Sequence, residues 1–305
     1  VGLMYVLQLA EMVLSELILG ALLTTYTPGR LIQAIQGAAF ITVTLNLAAM
    51  WKQEARCRTR AAEMKAQTPE GFGAAWRSLV QVPGTKRLLA VIALGTFGFG
   101  MADVLLEPYG GQVLGLTVAS TTKLTALLAA GTLAGFAAAS RRLGQGADAA
   151  RLARIGAVIG LPGFAAIILS AQMIGAPLGT ALFLIGTLAT GLGAGLFGHA
   201  TLTAVIRTAP KNRVGLALGA WGAVQATAAG VGIASAGILR DVIVAGTGAA
   251  SALPYIAVFA TEMTVLALAF VVLGPLIRRK VHARLATDGP DHDIKASYEK
   301  PVEVS

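Results

Sequence analysis

The sequence predicts an all-α polytopic membrane protein, and three observations carry that prediction. Apolar residues run on for about 20 positions at a time, the length at which a helix crosses a bilayer. Charged residues are 13% of the 305, against roughly 25% in soluble domains. Of the 24 lysines and arginines, 21 fall on alternate connections between the apolar runs, the asymmetry that orients a membrane protein. A transmembrane barrel is excluded because the runs are continuously apolar instead of alternating. A mean hydropathy of +0.72 excludes a disordered chain. The 37 glycines follow no three-residue period, which excludes collagen. A single cysteine, Cys57, excludes an internal disulfide framework or a cysteine-rich metal site.

Eight spans are predicted, at approximately 1–23, 31–51, 88–107, 113–139, 155–173, 179–205, 214–238 and 254–276. The chain opens on Val1 already inside an apolar run, so it reads as the C-terminal part of a longer protein. On the first span, Gln8, Glu11 and Ser15 fall at i, i+3 and i+7 and make one polar stripe. Glu16 lies about 140° around the helix from Glu11, so the two are not a dyad. Two readings of the stripe are open: a ligand or proton site at Glu11 facing a central cavity, or packing against further helices. The second, third and fifth spans hold Gly37, Gly95 and Pro162, which spans tolerate better than soluble helices do.

The connection 52–87 divides in two. Residues 52–66 are charged and extend the second span into water. Residues 71–80 carry Phe72, Trp76, Leu79 and Val80 with Arg77 among them, a pattern predicting a short interfacial helix.

Ionisable residues inside spans are costly and mark function by default. Asp103 and Glu107, four apart near the end of the third span, share a helix face. Lys123 lies roughly 10 Å deep in the fourth span, where the hairpin of the two spans would bring it level with Asp103. A ligand or proton site and a structural ion pair both fit. Glu262 stands alone on the last span and is given no role. His199 lies near the inner end of the sixth span, with Gly195 four residues earlier on the same face. Neutral imidazole ligates metals, including the magnesium of a chlorophyll. A glycine there would let a macrocycle lie flat, with Trp221 stacking on it and Gln225 hydrogen-bonding from the seventh span. The alternative is a buried histidine bonded to a neighbouring helix. Small pairs four apart, Gly131/Gly135, Gly191/Gly195 and Gly215/Gly219, predict close helix packing.

The cation-rich side holds 52–87, 140–154, 206–213 and the tail after 276; the other holds Arg30 and Arg240. This places the long connection and the C-terminus in the cytoplasm, where Cys57 stays reduced. It also explains the basic pI of about 10.1 without nucleic acid. After about residue 280 the chain turns polar and acidic and reads as a disordered tail. His282, Asp291 and His292 within it read as solvated, so no metal site is expected. No nucleotide loop, metal-ligand spacing or nucleophile–base pair appears, so no enzyme is expected.

Two spans, a long basic loop and six spans with short connections resemble the layout of the major facilitator superfamily, about eight spans of an expected twelve. The domain reading follows: 1–51 as the last two helices of an N-terminal half, 52–87 as the loop, 88–280 as a six-helix C-terminal half and 281–305 as the tail. The run Gly98-Phe99-Gly100-Met101-Ala102-Asp103-Val104-Leu105-Leu106-Glu107-Pro108-Tyr109-Gly110-Gly111 is more specific. With Pro28-Gly29-Arg30-Leu31-Ile32-Gln33, Ile35-Gln36-Gly37 and Trp51-Lys52-Gln53-Glu54-Ala55-Arg56, it resembles the PucC/LhaA family, the bacteriochlorophyll delivery branch of that superfamily. The resemblance runs from the start to about residue 280. It implies a factor that assembles light-harvesting complexes in the bacterial inner or intracytoplasmic membrane. Its implied partners are antenna polypeptides, membrane lipid, and bacteriochlorophyll, as bound cargo, or its synthesis machinery. Ser140-Arg141-Arg142-Leu143-Gly144 keeps the basic pair and glycine of the general transporter loop motif but lacks its acidic residue. That departure weighs against the other reading, a proton-coupled transporter of a small amphipathic solute.

Overall fold

The structure is a computed structural model that describes residues 27–51, 71–210, 213–247 and 252–287. The predicted first span, the charged stretch 52–66 and residues 288–305 lie outside the described residues. Two compact units divide the chain, Val1–Pro69 and Glu70–Ser305. All described regular structure is helical, and seven of the described helical stretches are long and apolar enough to cross a membrane. The protein is an all-α polytopic membrane protein.

The described part of the first unit is helix α1, Pro28–Met50. Thr27 caps it by accepting a hydrogen bond from the Arg30 amide, and Pro28 fits the first turn, where its missing N–H costs nothing. Its apolar side chains are exposed, Phe40 at 74%, as suits a span covered by lipid or by other helices.

The second unit holds α2 (Phe72–Gln81), α3 (Thr85–Gly100), α4 (Ala102–Gln112), α5 (Val118–Gly144), α6 (Ala149–Ser170), α7 (Pro177–Thr208), α8 (Val214–Thr247) and α9 (Leu253–Thr287). The interfacial segment expected at 71–80 is α2. Leu79 is buried against the bundle, Trp76 packs beside it, and Phe72 stays exposed.

Several boundaries differ from those read from sequence. The third span is helical over Thr85–Gln112, α3 passing into α4 at Met101, whose backbone keeps helical angles. It passes through Pro108 for another turn. Proline withholds one N–H from the Val104 carbonyl, yet the helix continues because its next residue, Tyr109, is anchored in the core. The fourth span begins at Val118, not 113. Residues 113–117 form the turn, where Gly115 adopts φ 66°, a region that favours glycine. The last helix continues past 280 to Thr287.

The helix α7 lies between α5 and α6, and glycines set both seams. A Cβ added at Gly191 or Gly195 would overlap the carbonyl oxygens of Leu128 and Thr132 on α5. One added at Gly131 or Gly135 would run into Leu188 and Leu192 on α7. On the other side a Cβ at Gly193 would sit 2.6 Å from the Gly156 carbonyl, and one at Gly186 2.7 Å from that of Gly163. Backbones approach this closely only where side chains are absent. The core forms one cluster around Val91, Ile92, Phe197 and Ala200 and another around Tyr109, Phe164, Phe183 and Phe259. Phe99 joins them, its ring 5.9 Å from Phe197 and 6.1 Å from Phe164.

Candidate functional site

On α4, apolar and acidic residues segregate by helix face. Leu105, Leu106 and Tyr109 are buried, while Asp103 and Glu107 are exposed. Glu107 accepts a hydrogen bond from the Thr125 hydroxyl on α5. The hairpin of the two spans is therefore stitched by a polar contact near the expected depth, through Thr125. The Lys123 side chain and all of Glu11, Gln8, Ser15 and Glu16 lie outside the described residues. Asp103 has no hydrogen bond or ion pair among the described residues.

Tyr109 turns inward from the same helix. Its hydroxyl lies 2.8 Å from Ser170 Oγ and donates to the Ile167 carbonyl at 3.1 Å, both on α6. Its ring packs against Phe183, Tyr255 and Phe259, with centroids 5.2 to 5.7 Å away. One turn's end further, Gln112 Oε1 accepts from the Tyr255 hydroxyl at 2.6 Å and from Arg240 at 3.4 Å. Arg240 also donates to Tyr255 and pairs with Asp241 at 2.8 Å. This clasp ties α4, α8 and α9 together at the end of the bundle opposite the cation-rich one. The sequence reading missed it, because Gln112 lies more than 100 residues of chain from Arg240 and Tyr255 and the three share no motif.

His199 and Gly195 do face one way, but that way is α5. The His199 ring meets Phe136 edge-on, with centroids 5.6 Å apart and planes at 82°. The Thr132 backbone occupies the space over Gly195. Helix packing therefore fills the space over Gly195, the position at which the sequence reading would lay a flat ligand. Gly215 and Gly219 on α8 show the opposite outcome, with nothing within 4 Å of an added Cβ.

The open apolar groove lies elsewhere. It measures about 610 Å³ between α3, α8 and α9 and is lined by Leu94, Phe97, Val224, Thr227, Val231 and Val265 among others. That volume is within the ordinary range for small-molecule sites. Trp221 sits one turn before Val224 on the same side of α8. Its indole N–H is buried and has no partner among the described residues. Gln225, half-buried, follows it by one turn.

Glu262, given no role from sequence, is fully buried on α9, and neither carboxyl oxygen has a partner among the described residues. Buried polar groups are satisfied in the great majority of cases. Nothing in the residues around position 262 signals this, since burial from three sides is a property of the assembled bundle.

The chain matches the family model described as PUCC protein over residues 1–281. It is 60% identical over 282 residues to Protein PucC of Rhodobacter capsulatus, covering 92% of this chain and 60% of that protein. It is 50% identical over 287 residues to Protein PucC of Cereibacter sphaeroides, covering 93% of this chain and 61% of that one. A more distant relative, 28% identical over 216 residues, is the Bacteriochlorophyll synthase 44.5 kDa chain of Rhodobacter capsulatus, with 70% of this chain and 49% of that protein covered. The chain thus spans about three-fifths of the length of the PucC proteins it matches.

Proposed function

Because the chain belongs to the PucC family, we propose that it is part of a light-harvesting complex assembly factor that binds or delivers bacteriochlorophyll, antenna polypeptides or both. The match to the PUCC family over residues 1–281 carries this reading. The name of the relative called a bacteriochlorophyll synthase chain adds the pigment. The groove between α3, α8 and α9 supports it physically, as an apolar trough lined by Leu94, Phe97, Val224, Val231 and Val265. A macrocycle would lay its apolar body along Phe97, Val224 and Val231. On this reading no covalent chemistry occurs and the protein is not an enzyme. The long loop and the C-terminus face the cytoplasm of a photosynthetic inner or intracytoplasmic membrane, and the bundle is of major facilitator type.

A second reading, a proton-coupled transporter of a small amphipathic solute, is favoured by one observation. Glu262 is a buried carboxyl inside a span, without a partner among the described residues, and such groups mark proton or ion pathways by default.

The test is an absorption spectrum of the detergent-purified full-length protein from pigmented cells, with a groove-filling Val224→Trp variant and a His199→Ala variant at equal protein. The expected result is a near-infrared bacteriochlorophyll band that falls in Val224→Trp and persists in His199→Ala. A band lost only in His199→Ala would return the pigment to α7. No band in any of the proteins, with proton-gradient-dependent solute uptake that Glu262→Gln abolishes, would replace the first reading by the second.

A further inference from the structure

The cation-rich end of the bundle treats its arginines unequally. Arg207 donates from one nitrogen to the Ala147 carbonyl and from the other to that of Leu143, each at 3.0 Å. Arg213 reaches the Ala75 carbonyl at 3.0 Å, and the Arg154 guanidinium lies 4.4 Å above the Phe270 ring. These three hold helices together. Arg141 and Arg142, in the last turn of α5, make no hydrogen bond or ion pair among the described residues. Both are exposed, and with Gln145, Ala137 and Ala138 they line an open concavity of about 520 Å³.

The helix end itself does not neutralise them. A C-terminal turn ordinarily offers free carbonyls and a partial negative charge. Here the Arg141 carbonyl accepts from the Gln145 amide, that of Arg142 from Ala147, and that of Leu143 from both Gly146 and Arg207. Asp148, the acid of the following turn, is engaged as the N-cap of α6. Two guanidinium groups are thus left facing outward over a smooth alanine wall at the boundary of a span that runs Leu124–Gly144. Positions 137, 141 and 145 form one stripe, with 138 and 142 beside it.

We propose that this concavity is a binding site for an anionic phospholipid, its phosphate held by Arg141, Arg142 and Gln145 and the start of its acyl chains laid along Ala137 and Ala138. Guanidinium groups present paired donors that match phosphate oxygens. Basic pockets at the end of a transmembrane bundle take anionic headgroups in this way. The alanine wall selects the lipid over free phosphate, since an ion in water gains nothing from it. The site stands apart from the pigment groove and does not depend on the pigment reading.

The experiment is native mass spectrometry of the full-length protein in mild detergent, titrated with phosphatidylglycerol, phosphatidylcholine or inorganic phosphate. The expected result is preferential retention of phosphatidylglycerol. The double variant Arg141→Gln/Arg142→Gln should weaken it by about thirty-fold, taking each basic residue at its usual contribution near a charged membrane surface. Arg240→Gln, at the opposite end, should bind as the parent does. In the unaltered protein, rising salt should weaken phosphatidylglycerol and leave phosphatidylcholine unchanged. Equal retention by the double variant, equal binding of phosphatidylcholine, or displacement of the lipid by inorganic phosphate at matched concentration would each overturn the proposal.

Discussion

Helices α7 and α8 are built from nearly the same vocabulary and put it to opposite use. Both carry glycines four apart, Gly191/Gly195 and Gly215/Gly219. On α7 each glycine of the pair meets the backbone of α5, and further glycines meet α6, so two helices press on it from opposite sides. On α8 the pair meets nothing within 4 Å. A glycine pair permits close approach but does not supply the neighbour. In a bilayer, lipid competes with a protein partner on nearly equal hydrophobic terms, so packing decides where contact forms.

The contrast can be broken most sharply at Gly195. Its added methyl would overlap the Thr132 carbonyl, a backbone atom that moves only if α5 moves. Gly195→Ala is therefore expected to cost about 3 kcal/mol, at the upper end of overpacking penalties, read as a large drop in thermal midpoint in detergent. An unchanged midpoint would show that the α5–α7 seam is looser than described. Gly95→Ala should cost less, about 1–2 kcal/mol, because the atoms in the way belong to the Phe197 ring. Pairing it with Phe197→Leu should recover part of that loss in a double-mutant cycle, whereas strict additivity would place the clash elsewhere. The smallest effect is expected on α8. Gly215→Ala should lie within about 0.5 kcal/mol of the parent, since the methyl enters open space and alanine favours the helix. A loss as large as that at Gly195 would mean that a partner covers this face in the purified protein.

The acids of the third span show how far motif reading reaches. Asp103 and Glu107 share a helix face because they are four apart, and the sequence alone says so; that the face is exposed comes from the structure. The partner of Glu107 is Thr125, a hydroxyl that no charge-pairing argument would select. Tyr109 belongs to the run that carries the family resemblance, yet its buried hydrogen bonds to α6 follow only from a helix that continues through Pro108. His199 illustrates the reverse. Its spacing from Gly195 puts both on one face, and that face packs against Phe136 and Thr132 of α5.

Sequence by itself determined the membrane class, the helical spans after the first described stretch, the segregation of cations and the family. Each depends on composition, run length or a contiguous motif, which are local quantities. Among the described residues, tertiary structure alone decided which glycines touch a neighbour, that Glu262 is enclosed without a partner, that Gln112, Arg240 and Tyr255 form one clasp, and that Arg141 and Arg142 remain unengaged while Arg207 and Arg213 do not. Those outcomes depend on which helices stand side by side. Spans apolar on nearly all sides carry little periodicity to announce their neighbours, so adjacency enters only with the assembled bundle.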